Sequence, residues 1–224
     1  MRRLEGRALL LLLAIAGALW AFFSLAGEMT EGETDGFDRG LLLALRNPAD
    51  LSDPIGSRSF EEAMRDITAL GGFTVLTLVT VVAVLVFLFH GRRRHALVMG
   101  GAVLLANFTS EALKDVYARA RPDLVPHGSY VYSHSFPSGH SMLSAATYLT
   151  LAMLIASVEG RRSTKILIYV LAVALILAVG FSRVYLGVHW PSDVLAGWSL
   201  GAAWSFLAWV LLLSLGGKPV QPRA

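Results

Sequence analysis

Three clusters of residues have the types and spacing to act on a tetrahedral anion. The first reads KDVYARARP, from Lys114 to Pro122. Lys114 and Arg121 stand seven residues apart, nearly two turns of a continuing helix, so both cations would face one way until Pro122 helps to end the segment. The second is Phe136-Pro137-Ser138-Gly139-His140. Ser138 occupies an N-cap position, and a helix N-terminus offers free backbone N–H groups with a dipole that favours anions. The third reads SRVYLGVHWPSD and carries Arg183, His189 and Asp193. Lys114, Arg121 and Arg183 with a helix N-terminus make a cradle for phosphate oxygens, while two imidazoles supply a nucleophile or base and a proton donor. The chemistry implied is phosphoryl transfer. Taken singly, each residue also has an ordinary role: Lys114 and Arg183 can snorkel to headgroups, His189 can be an interface histidine, and Asp193 can stabilise a helix dipole.

The elements that must position these clusters are set by composition. Of 224 residues, 55% are apolar and only 16% charged, with a mean hydropathy of +0.60, far from the balance of a soluble domain. Six stretches are apolar enough to span a bilayer, at about 8–26, 70–89, 96–117, 138–157, 166–181 and 194–215. They are continuous and rich in Leu, Ala and Val rather than alternating, which excludes a β-barrel. The expected fold is an all-α, six-helix integral membrane bundle forming one domain over residues 1–224. The first stretch follows Met1, Arg2, Arg3 and Arg7 as a signal peptide would, but its apolar run is long and Ser24 to Gly27 is a poor cleavage site, so it reads as retained. Cysteine is absent, which excludes a disulfide framework and a thiolate site.

Positively charged loops stay in the cytoplasm. With both termini inside, Arg2, Arg3, Arg7, Arg92, Arg93, Arg94, Arg161, Arg162, Lys165, Lys218 and Arg223 lie inside, 11 of the 19 Lys and Arg residues. Arg39, Arg46, Arg58, Arg65, Lys114, Arg119, Arg121 and Arg183 make the 8 outside. All three clusters then fall on the outer face. The Arg92–Arg94 run reads as a headgroup anchor rather than a nucleic-acid patch. The outer loop, 27–69, begins acidic and holds two amphipathic pieces, Phe37 to Leu45 and Ser59 to Ile67, expected as interfacial helices that either gate the site or merely cover it. His127, His134, Tyr130 and Tyr132 precede the second cluster as loop residues, His90 and His95 flank the inner arginines, and the five tryptophans read as interface anchors or packing.

These motifs resemble the signature of the type 2 phosphatidic acid phosphatase (PAP2) superfamily, which shares its site with vanadium haloperoxidases. Its pattern is Lys, six residues, Arg-Pro; then Pro-Ser-Gly-His; then Ser-Arg, five residues, His, three residues, Asp. Here it is met by Lys114, Arg121-Pro122, Pro137-Ser138-Gly139-His140, Ser182-Arg183, His189 and Asp193, with no departure. The resemblance implies that His189 attacks phosphorus and that Asp193 fixes its tautomer. His140 protonates the leaving oxygen, and Lys114, Arg121, Ser138, Gly139 and Arg183 bind phosphate. No metal or other cofactor is implied, and the outer clusters lack the grouped carboxylates that suit Mg²⁺. The expected substrate is a phosphorylated lipid at the outer leaflet of a bacterial inner membrane: undecaprenyl pyrophosphate, phosphatidylglycerol phosphate, phosphatidic acid or diacylglycerol pyrophosphate. Within the family the chain resembles bacterial phosphatidylglycerophosphatases and undecaprenyl pyrophosphate phosphatases, and the first two substrates lead because an outward site in a compact six-span member suits recycling of the cell-wall lipid carrier or phospholipid maturation. A lipid phosphotransferase using the same intermediate, and a non-catalytic lipid-phosphate binder or transporter, remain alternatives. Oligomeric state has no marker in the sequence.

Overall fold

The computed structural model describes residues 2–131 and 133–215, with side chains from residue 9 onward. The side chains of Arg2, Arg3 and Arg7, and Tyr132, Lys218 and Arg223 altogether, lie outside the described residues. The chain runs α1 (Arg2–Thr30), α2 (Asp35–Ala44), β1 (Arg46–Asn47), β2 (Asp50–Pro54), α3 (Arg58–Ala69), α4 (Phe73–Phe89), α5 (Arg93–Tyr117), α6 (Gly139–Val158), α7 (Arg162–Tyr185) and α8 (Pro191–Leu215). It is an all-helical membrane bundle.

Five of these helices, α1, α5, α6, α7 and α8, are each long and apolar enough to cross a bilayer. The remaining expected span, the second at about 70–89, differs in form. Helices α3 and α4 together meet the same test as a pair bent by 48°, and α4 begins at Phe73 rather than at residue 70. Leu70–Gly72 form the break. It is pinned by the Tyr148 hydroxyl, which donates to the Leu70 carbonyl at 2.7 Å.

Which helix sits at the centre follows from side-chain size. In α6 the apolar window is 72% buried, against 11–33% for the other four spans. Its Ser141, Ser144, Ala145, Ala146, Thr147 and Thr150 are all fully or almost fully buried, and small residues let neighbouring backbones approach where lipid supplies no hydrophobic drive. The tightest partner is α8, whose Gly197 and Gly201 lie against α6. By contrast Leu9, Leu10, Trp20 and Phe23 on α1, and Leu167, Val170 and Leu171 on α7, point outward from the bundle, as lipid-facing residues should.

The 27–69 loop is more ordered than the two expected helices alone. Both are present as α2 and α3, and between them β1 and β2 pair antiparallel as a short hairpin, for which the sequence held no alternating pattern. The hairpin seats Arg46, only 4% exposed, which donates to the Leu45 and Tyr185 carbonyls at 3.0 and 2.9 Å.

A second difference concerns the first cluster. Helix α5 does not continue to Pro122; it stops at Tyr117, where Ala118 adopts a left-handed conformation (φ 44°) and donates its N–H to the Lys114 carbonyl at 2.9 Å. This is a one-bond left-handed C-cap. Arg121 therefore reaches its place on non-helical chain, and the helical-face argument holds for Lys114 alone.

Candidate active site

The three clusters meet at one end of the bundle, where α5 and α7 finish and α6 and α8 begin. Lys114 lies in the last turn of α5, Ser138 caps α6, Arg183 lies in the last turn of α7, His189 sits in the α7–α8 connection, and Asp193 lies in the first turn of α8. A three-ring contact among Phe22, Tyr117 and Phe136, with centroids 5.0–6.2 Å apart, wedges the chain before Pro137 between α1 and α5. The Ser138 N–H then donates to the Asp193 carbonyl at 3.0 Å, joining the starts of α6 and α8 directly.

The ring of His189 is 2% exposed. Its Nε2 lies 3.1 Å from Nη1 of Arg121. Guanidinium has donors only, so Nε2 must present its lone pair and the ring proton must sit on Nδ1. That nitrogen faces two oxygens, Ser135 Oγ at 3.3 Å and Asp193 Oδ2 at 3.4 Å. Burial first, then the nearby charges of Arg183, Arg121 and Lys114, push the imidazole well below its usual pKa. The ring is accordingly neutral, with its Nε2 lone pair turned toward Arg121.

Asp193 is wholly buried. Its Oδ2 accepts from Ser135 Oγ and from the Trp190 N–H at 2.9 Å, and its Oδ1 accepts from Nη1 of Arg119 at 2.6 Å. Arg119 reaches onward: Nη2 donates to Oδ2 of Asp38 at 2.8 Å, and the guanidinium lies 5.7 Å from the Trp190 ring centroid. Asp38, 1% exposed on α2, also accepts from the Ser192 N–H at 2.8 Å and Ser192 Oγ at 2.6 Å.

The cations fix the other side. Arg121 is held by the carbonyls of Ser133 (2.8 Å), Val188 (2.7 Å) and His134 (3.3 Å). Arg183, 2% exposed, donates to Thr68 Oγ1 of α3 at 2.9 Å. Its Nε has no hydrogen-bond partner among the described residues, and neither does Ser110 Oγ, one turn before Lys114 on α5. A Cβ on Gly139 would sit 3.2 Å from Lys114 Nζ and 3.4 Å from Ser110 Oγ, so the ammonium lies close against the start of α6. His140 follows, within electrostatic reach of His189, Arg183, Lys114 and Arg121; its Cβ packs against the α3–α4 break at Gly71. Buried donors left open around a helix N-terminus are what an oxyanion would satisfy.

All eight residues singled out from the sequence thus lie at this end. The structure adds Ser110, Arg119, Ser135 and Asp38. Arg119 stands inside the first cluster, two residues before Arg121, but without knowing that α5 stops at Tyr117 nothing directed it toward Asp193. Asp38 was one acid among five at the start of the outer loop, and no sequence signal separated it from the others.

Comparison with known proteins gives the same direction. The PAP2 superfamily profile matches residues 95–215. Phosphatidylglycerophosphatase B of Bacillus subtilis is 37% identical over 149 residues, covering 65% of this chain and 72% of that one. Undecaprenyl-diphosphatase of Sulfolobus acidocaldarius is 30% identical over 132 residues, covering 57% of this chain and 60% of that one. Among solved structures, a transmembrane PAP2 type phosphatidylglycerolphosphate phosphatase from Bacillus subtilis superimposes with a TM-score of 0.77 at 28% identity, over 92% of this chain and 98% of that one.

Proposed function

We propose, from the premise that the chain belongs to the PAP2 superfamily of lipid phosphatases, that it hydrolyses a phosphate or pyrophosphate monoester on a membrane lipid through a phosphohistidine, without a divalent metal. The whole chain acts as one membrane domain. The observation that carries this reading is the state of His189: a neutral ring with Nδ1 toward Asp193 and Ser135 and its Nε2 lone pair beside Arg121.

Phosphate oxygens would be held by Lys114, Arg121, Arg183, the Gly139 N–H and the capped start of α6 at Ser138. Nε2 of His189 attacks phosphorus in line as the bond to the leaving oxygen breaks, and His140 delivers a proton to that oxygen. The phosphorylated ring gains positive charge, which the Asp193 carboxylate offsets. His140, now neutral, takes a proton from water as the water oxygen attacks phosphorus; the N–P bond breaks and inorganic phosphate leaves. The three cations stabilise transition-state charge at both steps, the part a metal plays elsewhere.

Relatives named for phosphatidylglycerophosphate and undecaprenyl diphosphate make these two lipids the leading substrates. Purified protein in detergent is expected to release phosphate from one or both at an undiminished rate in excess EDTA and to be inhibited by vanadate, a mimic of the five-coordinate transition state. Loss of turnover in EDTA, restored by Mg²⁺, would overturn the metal-free reading.

In this reading the site lies on the outer face of a bacterial inner membrane, with both termini cytoplasmic. Arg92–Arg94 and Arg161, Arg162 and Lys165 gather at the opposite end of the bundle, as the positive-inside rule requires. The chain has no cysteine, so single introduced thiols can report orientation in intact cells. Tyr130→Cys, at a 90% exposed position, should react with an impermeant maleimide, and Arg93→Cys only after lysis. The reverse pattern would invert the topology.

A further inference from the structure

We infer that Asp38 and Arg119 are positioning residues for the nucleophile, so that the outer-loop helix α2 is part of the catalytic apparatus and not only a cover. This rests on the reading of His189 as the attacking group. The observation is a continuous chain of contacts, α2 to Asp38, to Arg119, to Asp193, to His189, in which Arg119 and Ser192 donate to the two carboxylates at 2.6–2.8 Å and His189 meets Asp193 at 3.4 Å.

Asp193 is the pivot. A wholly buried carboxylate is tolerated only with a counter-charge and filled acceptor positions, and Arg119 is the one cation paired with it among the described residues. The contact from His189 Nδ1 to Oδ2 is the longest that Asp193 makes, at 3.4 Å. The carboxylate plane, and with it the direction offered to the imidazole, is therefore set by Arg119, Ser135 and the Trp190 N–H rather than by His189. Arg119 is in turn aimed by its second anchor. Its two terminal nitrogens bridge Asp193 on α8 and Asp38 on α2, a two-carboxylate fork that a lysine ammonium on a flexible stem does not reproduce.

Asp38 is built into place as well. Ser192 fills it from its own N–H and hydroxyl, and the next turn of α2 puts Leu42, with no exposed surface, in a cluster with Val125, Val184, Trp190 and Val194. The adjoining strip of α2, at Phe37 and Leu41, is roughly half exposed. One helix thus turns apolar residues outward and delivers its buried acid to the residue that holds Asp193.

The charges give the two residues opposite signatures. His189 is faced by Lys114 of α5, Arg121, His140 of α6, Arg183 of α7 and Asp193 of α8, with the neutral Ser135 hydroxyl beside it. Removing the Arg119 cation leaves Asp193 uncompensated and favours a proton on His189, so the acid limb of kcat/KM moves up in pH. Removing the Asp38 anion leaves Arg119 entirely to Asp193, so that limb stays or moves down. Both changes release the fork and lower kcat.

The test is a pH–rate series on full-length Arg119→Gln, Asp38→Asn and Arg119→Lys in detergent, with phosphatidylglycerol phosphate or undecaprenyl pyrophosphate as substrate, whichever the wild type turns over. Each variant should lose about tenfold or more in kcat, with KM changed less than about twofold, as expected for misplacement rather than lost binding. The acid limb should rise by about 0.5 pH unit or more in Arg119→Gln, not rise in Asp38→Asn, and stay at the wild-type position in Arg119→Lys, which keeps the charge but not the fork. If Arg119→Gln does not fold, the other two decide on the same criteria. Wild-type kcat in Asp38→Asn and Arg119→Lys, with turnover lost in His189→Ala, overturns the inference and spares the nucleophile. Turnover retained in His189→Ala removes both.

Discussion

Replacing His189 by alanine is expected to lower phosphate release by more than about a hundredfold, because covalent catalysis has no substitute group at that position. Replacing His140 by alanine should give a loss that depends on the leaving group. A lipid alkoxide is a poor leaving group and needs the proton, so its release should fall by about 10²–10⁴-fold. The leaving group of a nitrophenyl phosphate is a stabilised nitrophenolate, so the first step in His140→Ala should be much less affected. The second step still needs a base for water. His140→Ala mixed with nitrophenyl phosphate should therefore show a burst of nitrophenol followed by slow turnover, with an acid-labile, base-stable phosphoenzyme accumulating. His189→Ala should show neither burst nor phosphoenzyme. Rapid-quench product analysis distinguishes the cases, and a phosphoenzyme that forms without His189 would assign the covalent step elsewhere. The geometry motivating the split is the lone pair of His189 Nε2 beside Arg121, with His140 across the same cluster of cations and His189 Nδ1 occupied by Ser135 and Asp193.

How much of this was readable from the chain depends on what fixes each residue. Lys114, Ser138, His140, Arg183 and Asp193 are positioned by regular helices, whose apolar runs and cap residues are visible in sequence, so the end of the bundle at which they lie is legible. Arg121 lies at the end of the bundle that a continuing helix predicts, but not by that helix: Ala118 breaks α5 with a left-handed residue that carries no glycine signal, and the arginine is placed by carbonyls at 133, 134 and 188 instead. Asp38 and Arg119 meet across 81 positions of sequence, a distance over which charge pairing leaves no periodic trace. The second span shows the limit of run length as a signal. Hydropathy sees one stretch from residue 70, whereas the backbone bends at Leu70–Gly72 and lets α3 run on to bring Thr68 to Arg183.

The same limit applies to Gly197 and Gly201, four residues apart on α8, which carry the prediction of largest effect on the fold. A Cβ at 201 would press into the Met142 carbonyl oxygen and lie 2.6 Å from the Ala145 Cβ; one at 197 would lie 2.7 Å from the Ser138 carbonyl oxygen and 3.0 Å from the Ser141 Cβ. These obstacles include backbone, which cannot swing aside as a flexible side chain can, so relief requires α6 and α8 to move apart. Ser205 would lose geometry in the same motion, since its hydroxyl accepts from Thr150 Oγ1 at 3.2 Å and bonds to the carbonyls of Ala145 and Ala146 at 3.3 and 3.2 Å. Gly201→Leu is expected to cost at least the upper end of the ~1–3 kcal/mol usual for overpacking, seen as a fall of about 6–12 °C or more in Tm. Gly197→Ala strikes the other property. Its clash falls on the residue that caps α6, next to Gly139 and His140, while Asp193 lies one turn away on α8. Its loss in kcat, about tenfold or more, should exceed what its smaller fall in Tm explains. Gly101→Ala on α5, where a Cβ would meet nothing within 4 Å, serves as the control and should leave activity unchanged and Tm equal or slightly higher. Thermal unfolding of the three variants beside lipid phosphatase assays separates the outcomes. Wild-type Tm and activity in Gly201→Leu would mean that α6 and α8 are not in backbone contact at this level, and the start of α6 would then lack the support that holds Ser138 to Asp193.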